Sequence, residues 1–473
     1  MNRTLRTLLA ALAVLLMAAA LGGCSDDDEN NPMSPANLGD GAKLRVVHAS
    51  PDAPAVDIYA EGVATPLITG LAYTQTSDYL DLEPGQYTIQ LRAAGASATS
   101  PPAFATGLLT VPDGAVITAA AVGLLGSADD ADRFRVLVLA EDFTDPGDGN
   151  AAVRIVHGAA DAPAVALDVA NDGSPEITDF AHFAETGAAG VALPAGSPLA
   201  VGIWAGDPLS RVTAFTTPTL PEGELFLIAT GRLSAAPRAD DGFGLLAVGA
   251  GGTIGLIRQD PVVYVLHASP DAPTVDVYVG GTDTELVDNL SFGELSPPVQ
   301  VPPAAYDLDV RVWDGGAVAA SVMTPELMAG ERYLAVASGY VSGAGKSFTL
   351  LAFREMFAET SPLVRVLHAS PDAPTVDVGA WDGMTFTPVD AFSALAFGEA
   401  SVGEGTPLSG MLTVGVAATG TSHPAATFDL ALMGDLQAFA VASGSLAAGG
   451  ESFRLVVVDA GSWPWTAAEV MPN

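Results

Sequence analysis

The chain has 473 residues, 55 acids against 18 Lys+Arg, and a formal net charge of −37. That balance excludes a nucleic-acid partner and an anionic lipid surface, since a body of this charge repels both. Its 34 prolines, 51 glycines and low charged fraction suit short strands and turns rather than long amphipathic helices, over about two to four domains.

Residues 1–23, MNRTLRTLLAALAVLLMAAALGG, carry Arg3 and Arg6 before an apolar run from about Leu8 to Leu21, the pattern of an export signal. Leu21-Gly22-Gly23-Cys24 resembles the lipobox of bacterial lipoproteins, and the resemblance implies cleavage before Cys24 and its acylation. Cys24 is the only cysteine, so no intramolecular disulfide forms and no thiol is left for catalysis. The polar, acidic residues 24–42 read as a flexible tether. Two acyl chains on one cysteine anchor stably without a transmembrane helix. The longest later apolar run, Gly114 to Ser127, is too short to span a bilayer as a helix. Aromatics at 7% give no sign of the girdles of an outer-membrane barrel. These features place the chain in the cell envelope, lipid-anchored, at the outer membrane or cell surface.

One segment then recurs four times: KLRVVHASPDAPAVDIYAEG from Lys43, AVRIVHGAADAPAVALDVANDG from Ala152, VVYVLHASPDAPTVDVYVGG from Val262 and LVRVLHASPDAPTVDVGAWDG from Leu363. The spacing of His48, His157, His267 and His368 is that of whole domains rather than solenoid repeats. Later landmarks recur in the same order. A turn and strand (EPGQYTIQLRA in the first copy) leads to an apolar strand (AVITAAAVG) and a closing strand (RFRVLVLAE). Each copy offers six or seven short strands separated by Gly, Pro, Asp and Ser clusters, with no helical period between them. The expected fold is all-β, with four tandem immunoglobulin-like antiparallel sandwiches at 43–148, 149–259, 260–360 and 361–473. Alternation in the second strand sets Val275, Val277 and Val279 on one face and Asp276 and Tyr278 on the other, with Val56 and Ile58 against Asp57 and Tyr59 likewise. That is the pattern of a strand with one buried side. Pro51-Asp52-Ala53-Pro54 reads as a tight turn in which the aspartate bonds nearby backbone.

These residues resemble the bacterial domain-of-unknown-function family marked by an HASPDAP segment followed by a VDVY-like strand. The resemblance covers four copies and nearly all of the chain after the signal. Copy 2 departs from it with Ala159 and Ala160 in place of Ser and Pro. It implies an immunoglobulin-like fold and an envelope location, and no reaction.

The recurring groups are His48/Asp52/Asp57, His157/Asp161, His267/Asp271/Asp276 and His368/Asp372/Asp377. An imidazole with two carboxylates is a conceivable ligand set for a divalent metal. Against this, copy 2 has Ala166 where the second aspartate falls, and each histidine lies in register with inward apolar positions such as Val46 and Val265. The histidine and first aspartate are therefore read as structural, satisfying backbone groups where the chain leaves the strand. No metal, cofactor or catalytic residue is expected. Acidic loops such as Asp129-Asp130-Ala131-Asp132 lack the spacing of an EF-hand and read as solvated charge. No GxSxG or HExxH string occurs. His182 and His423 read as loop or surface histidines. Trp204, Trp313, Trp381, Trp463 and Trp465 read as core or turn packing, with a binding face as the alternative.

The function expected is a non-enzymatic envelope lipoprotein whose domains serve binding, adhesion or structural display. Its partners would be the membrane through the lipid and a glycan or protein at the cell surface. The alternatives are a metal-dependent or accessory enzyme using the His–Asp segment, and a passive stalk.

Overall fold

A computed structural model describes residues 41–313, 316–342, 345–358, 362–447 and 450–473. Residues 1–40 lie outside the described residues, and with them the signal segment, Cys24 and most of the tether. Among the described residues the fold is all β, with a single 3-10 turn at Asp390–Phe392. None of them forms a helix long and apolar enough to cross a membrane.

The chain divides into two compact units, one ending at Gln259 and the other beginning at Asp260. The first sandwich gives the plan: β1 (Ala42–His48), β2 (Val56–Ala60), β3 (Ile68–Leu71), β4 (Leu80–Leu82), β5 (Gly85–Tyr87), β6 (Ile89–Ala93), β7 (Phe104–Ala105), β8 (Leu109–Val111), β9 (Val116–Val122) and β10 (Arg135–Ala140). One sheet runs β10-β9-β1-β4 and the facing sheet β3-β2-β6-β7, with β5 and β8 as a separate pair. The chain crosses from one sheet to the other at the Pro51–Pro54 turn, between β1 and β2. Strand pairs are antiparallel except β1 with β9, which run parallel with His48 opposite Ala121. The same parallel pair recurs as Asn150–His157 with Gly223–Thr230, Val262–His267 with Arg332–Ser338, and Leu363–His368 with Gln437–Ser443.

Inward residues of the two sheets make each core. In the first sandwich these include Val46, Val56, Ile58, Leu91, Ile117 and Ala119. In the second they include Ile155, Leu167, Ile203, Leu227 and Phe243. The other two cores centre on Val265, Val277 and Val310, and on Val366, Val378 and Phe428.

The β1-type sheets are also buried on their second face. In the first unit Val47, Ala49, Ala120, Val122 and Leu139 of one sandwich pack on Val156, Phe226, Ile228, Leu246 and Val248 of the other. In the second unit Leu266, Leu334 and Val336 meet Leu367, Phe439, Val441 and Val456 in the same way. Sandwiches are therefore joined in pairs, sheet back to sheet back. The second member of each pair carries an extra edge strand, Gly252–Arg258 or Thr466–Val470. In the first unit that strand reaches across to its neighbour, where Thr253 Oγ1 donates to the Thr74 carbonyl at 2.8 Å.

The second strand departs from the one-sided alternation that its residues predict. β2 is buried along its whole length, Asp57 and Tyr59 included, and Asp276 is 1% exposed. β2 is an inner strand of its sheet, and loops fold over the outer face to meet the aspartate.

Candidate functional site

The recurring segment leaves β1 at a histidine and enters β2 eight residues later, and its histidine and aspartates each bond backbone groups. The histidine is buried in all four copies. Its Nε2–H donates to the proline carbonyl six residues on: His48 to Pro54 at 3.2 Å, His157 to Pro163 at 3.0 Å, His267 to Pro273 at 3.0 Å and His368 to Pro374 at 2.9 Å. Burial pushes each of these four imidazoles below the ordinary histidine pKa, so they are neutral at pH 7.

The serine two residues after the histidine ties the segment to the strand alongside. Ser50, Ser269 and Ser370 donate to the carbonyls of Gly123, Gly339 and Gly444 at 2.6–2.7 Å. Copy 2 has Ala159 there and lacks the bond.

The first aspartate behaves differently from the turn its sequence predicts. It reaches the loop that follows the parallel strand, seventy or more residues away in sequence. Asp52 accepts from the amides of Leu125 and Gly126, both at 2.8 Å. Asp161 takes Leu233 and Ser234, Asp271 takes Val341 and Ser342, and Asp372 takes Leu446 and Ala447. The carboxylate thus caps two adjacent amides that no sheet partner satisfies. Asp372 is held below the usual carboxylate range: burial works to raise it, and the bonds from Leu446, Ser445 and Ala447 outweigh that effect.

The loop can present those amides because it opens on a glycine with positive φ: Gly123, Gly231, Gly339 and Gly444, at 80–94°. A Cβ there would collide with the backbone of Arg133, Gly242, Ser347 or Ser452.

The second aspartate lies on the outer face of the opposite sheet. Asp57 accepts from Gly70 and Gly95, Asp276 from Asn289, and Asp377 from Ala394 and Gly420. For Asp377 burial again opposes ionisation, and these bonds with that of Thr419 hold it below the usual range. Copy 2 recovers the arrangement two residues later, where Asp168 takes Asp172, Gly173 and the Trp204 indole. The histidine of each copy shares the inner face with Val46 or its counterpart, while the second aspartate points out of the other sheet. The histidine and two aspartates of a copy therefore do not converge on one ion. Among the described residues, the one group of three metal-capable side chains with ligand atoms within 4.8 Å of each other is Asp276, Glu285 and Asp288, which includes no histidine.

Sequence reasoning missed a second recurring element, the aromatic lid of the histidine. LAYTQ, FAHFAE, LSFGE and LAFGE place Tyr73, His182, Phe292 and Phe397 against His48, His157, His267 and His368. The next residue, Thr74, Phe183, Gly293 or Gly398, has positive φ, and its amide donates to the histidine's own carbonyl. The signal was the repeated aromatic about 25 residues after the histidine. His182 is thus a lid residue, half-buried and stacked on Phe183, rather than a surface histidine. His423 is exposed beside Ser422 and Trp381. Trp465 is buried against Tyr264, and Trp204 bonds Asp168. Trp313 and Trp463 are about half exposed, against the packing expected of them. Trp463 carries the Arg332 guanidinium 4.9 Å above its ring.

Buried or half-buried ion pairs also hold the individual sandwiches of the first unit. Arg45 is buried with Glu141, which also accepts from Tyr79 and Thr118. Arg154 pairs with Glu185 at 2.8 Å. Tyr264 takes the place of this arginine in the third copy, and its ring stacks on Trp465, 4.5 Å between centroids.

The architecture and its internally bonded recurring segment define a tandem β-sandwich protein. The chain belongs to the family described as Domain of unknown function (DUF4397), whose model matches residues 42–168 and 261–379. Each match covers the first sandwich of a pair and runs on into the recurring segment of the second. No curated protein matches the chain significantly.

Proposed function

We propose that the chain is a non-enzymatic lipoprotein of the cell envelope, anchored through Cys24, whose paired sandwiches serve binding, adhesion or structural display at the outer membrane or cell surface. One observation carries this reading. The histidine and first aspartate of all four HASPDAP-type segments are bonded to backbone of their own sandwich. Polar groups so engaged build a scaffold; a catalytic acid or base needs a free face toward substrate. Four copies of one scaffold on a tether gain reach and avidity for a surface glycan or protein, because linked weak sites act at high effective concentration. The acidic body fits no nucleic-acid partner.

Metabolic labelling with a palmitate analogue, joined to protease shaving of whole cells, tests this reading. Label on the wild-type chain and none on Cys24→Ser, with the wild type shaved from intact cells, is the expected result. A chain that takes no label and stays soluble in the cell contradicts it.

A further inference from the structure

Sandwich 2 departs from its three siblings at the residue that covers the recurring histidine. Tyr73, Phe292 and Phe397 stand edge-on to His48, His267 and His368, with ring centroids 6.1–6.3 Å apart. In sandwich 2 the covering residue is itself an imidazole. His182 lies closer, 5.3 Å from His157 between centroids, with the rings inclined at 53°.

The hydrogen bonds fix which nitrogens are free. His157 donates from Nε2 to the Pro163 carbonyl, so the neutral ring carries its lone pair on Nδ1, and Nδ1 is buried without a partner. The Nε2 of His182 is likewise buried without a partner. Nδ1 is unpartnered in His48 and His267 too, whereas in His368 it accepts from the Ser370 amide at 3.3 Å. Sandwich 2 alone sets a second imidazole against this nitrogen.

Metal-bound histidines commonly have this form, one ring nitrogen donating to a carbonyl while the other holds the ion. Two imidazoles on one tetrahedral zinc, with Zn–N of about 2.0–2.1 Å, place their ring centroids about 5.2 Å apart. The observed separation meets that requirement, and the aromatic lids of the other copies do not. Asp132, in the acidic loop of sandwich 1, is near enough to act on His182 electrostatically, while Arg135, stacked 3.8 Å over Phe183, opposes a cation.

We propose that His157 and His182 form a two-imidazole site for a divalent transition metal of the zinc class, built into sandwich 2. Its remaining coordination positions go to water. This assignment is independent of the lipoprotein reading and of the His–Asp–Asp grouping, whose members do not converge.

The test is zinc binding by the full mature chain carrying no histidine tag, followed by equilibrium dialysis and elemental analysis at micromolar free zinc. One zinc per chain is expected, retained in excess calcium. His182→Phe installs the lid residue of sandwiches 3 and 4, so it preserves folding, and it should weaken zinc binding at least a hundredfold with an unchanged thermal midpoint. Phe292→His should set a second pair against His267, whose Nδ1 is unpartnered, and raise the stoichiometry to two. A wild-type chain that takes up no zinc, a His182→Phe chain that keeps it, or displacement of the zinc by calcium would each overturn the assignment.

Discussion

Arg45 and Arg154 make the same bond in opposite directions across the first pair of sandwiches. Nη1 of Arg45 donates to the carbonyl of Gly249, the last residue of the second sandwich's closing strand, and Nη1 of Arg154 donates to Ala140, the last residue of β10. Arg365 repeats the bond on the Arg354 carbonyl in the second unit. Two sandwiches related by this exchange form one unit, and the buried charge at its seam makes the pairing specific as well as apolar.

Arg45→Met should destabilise the first unit by about 3 kcal/mol or more. It leaves Glu141 buried without its cation, and removing one partner of a buried pair costs far more than the pair is worth. Arg45→Met with Glu141→Leu should recover most of the loss. Chemical unfolding of the mature chain reads both, and a single variant as stable as wild type contradicts the seam's role.

Residues 42–148 produced alone should self-associate or fail to fold, whereas residues 42–259 should give a folded monomer. The single copy exposes Val47, Ala120, Val122 and Leu139, which the pair buries. Each of the two valines and the leucine contributes roughly 1.5–3 kcal/mol when fully buried. Light scattering after size exclusion distinguishes the outcomes, and a monodisperse, folded single sandwich refutes the expectation.

How far this was readable in the sequence follows from which contacts are local. Strand order, sandwich class and the inward valines follow from period-two patterning and turn residues, which act over a few positions. Pairing does not show that way. Its trace is the doubled apolar residue before each histidine, Val46-Val47, Ile155-Val156, Val265-Leu266 and Val366-Leu367, which marks a strand buried on both faces. Asp52 and its counterparts were visible as recurring residues, and their partners were not, because Leu125 lies 73 positions away on a loop with no motif except its glycine.

Stability should fall as the pH drops below the ordinary histidine range. Burial lowers the pKa of His48, His157, His267 and His368 in the folded chain, while the unfolded chain keeps values near 6.5. Above about pH 7 neither state is protonated and these groups contribute no pH dependence. As pH falls through 6.5 the unfolded state binds protons first and is favoured. Denaturant midpoints should thus be flat from about pH 7 to 8 and decline towards pH 5, with proton uptake on unfolding. A midpoint that rises between pH 7 and 5.5 contradicts the assignment.

Gly339→Ala should cost more than about 3 kcal/mol, because its φ of 94° disfavours an L side chain and the new Cβ meets the backbone of Ser347. Gly281, at φ 68° with open space around it, should tolerate alanine at about 1 kcal/mol. Thermal unfolding of the two variants compares them directly, and equal losses would refute the steric reading.

The most direct measurement is amide hydrogen exchange in Asp271→Ala. If the recurring aspartate is a scaffold group, the Val341 and Ser342 amides lose their acceptor and should exchange at least about tenfold faster. Leu125, Gly126, Leu446 and Ala447, capped by Asp52 and Asp372, should stay protected. Unchanged exchange at Val341 and Ser342 would show that the carboxylate does not hold the loop, and that the segment is kept for some purpose other than building the sandwich.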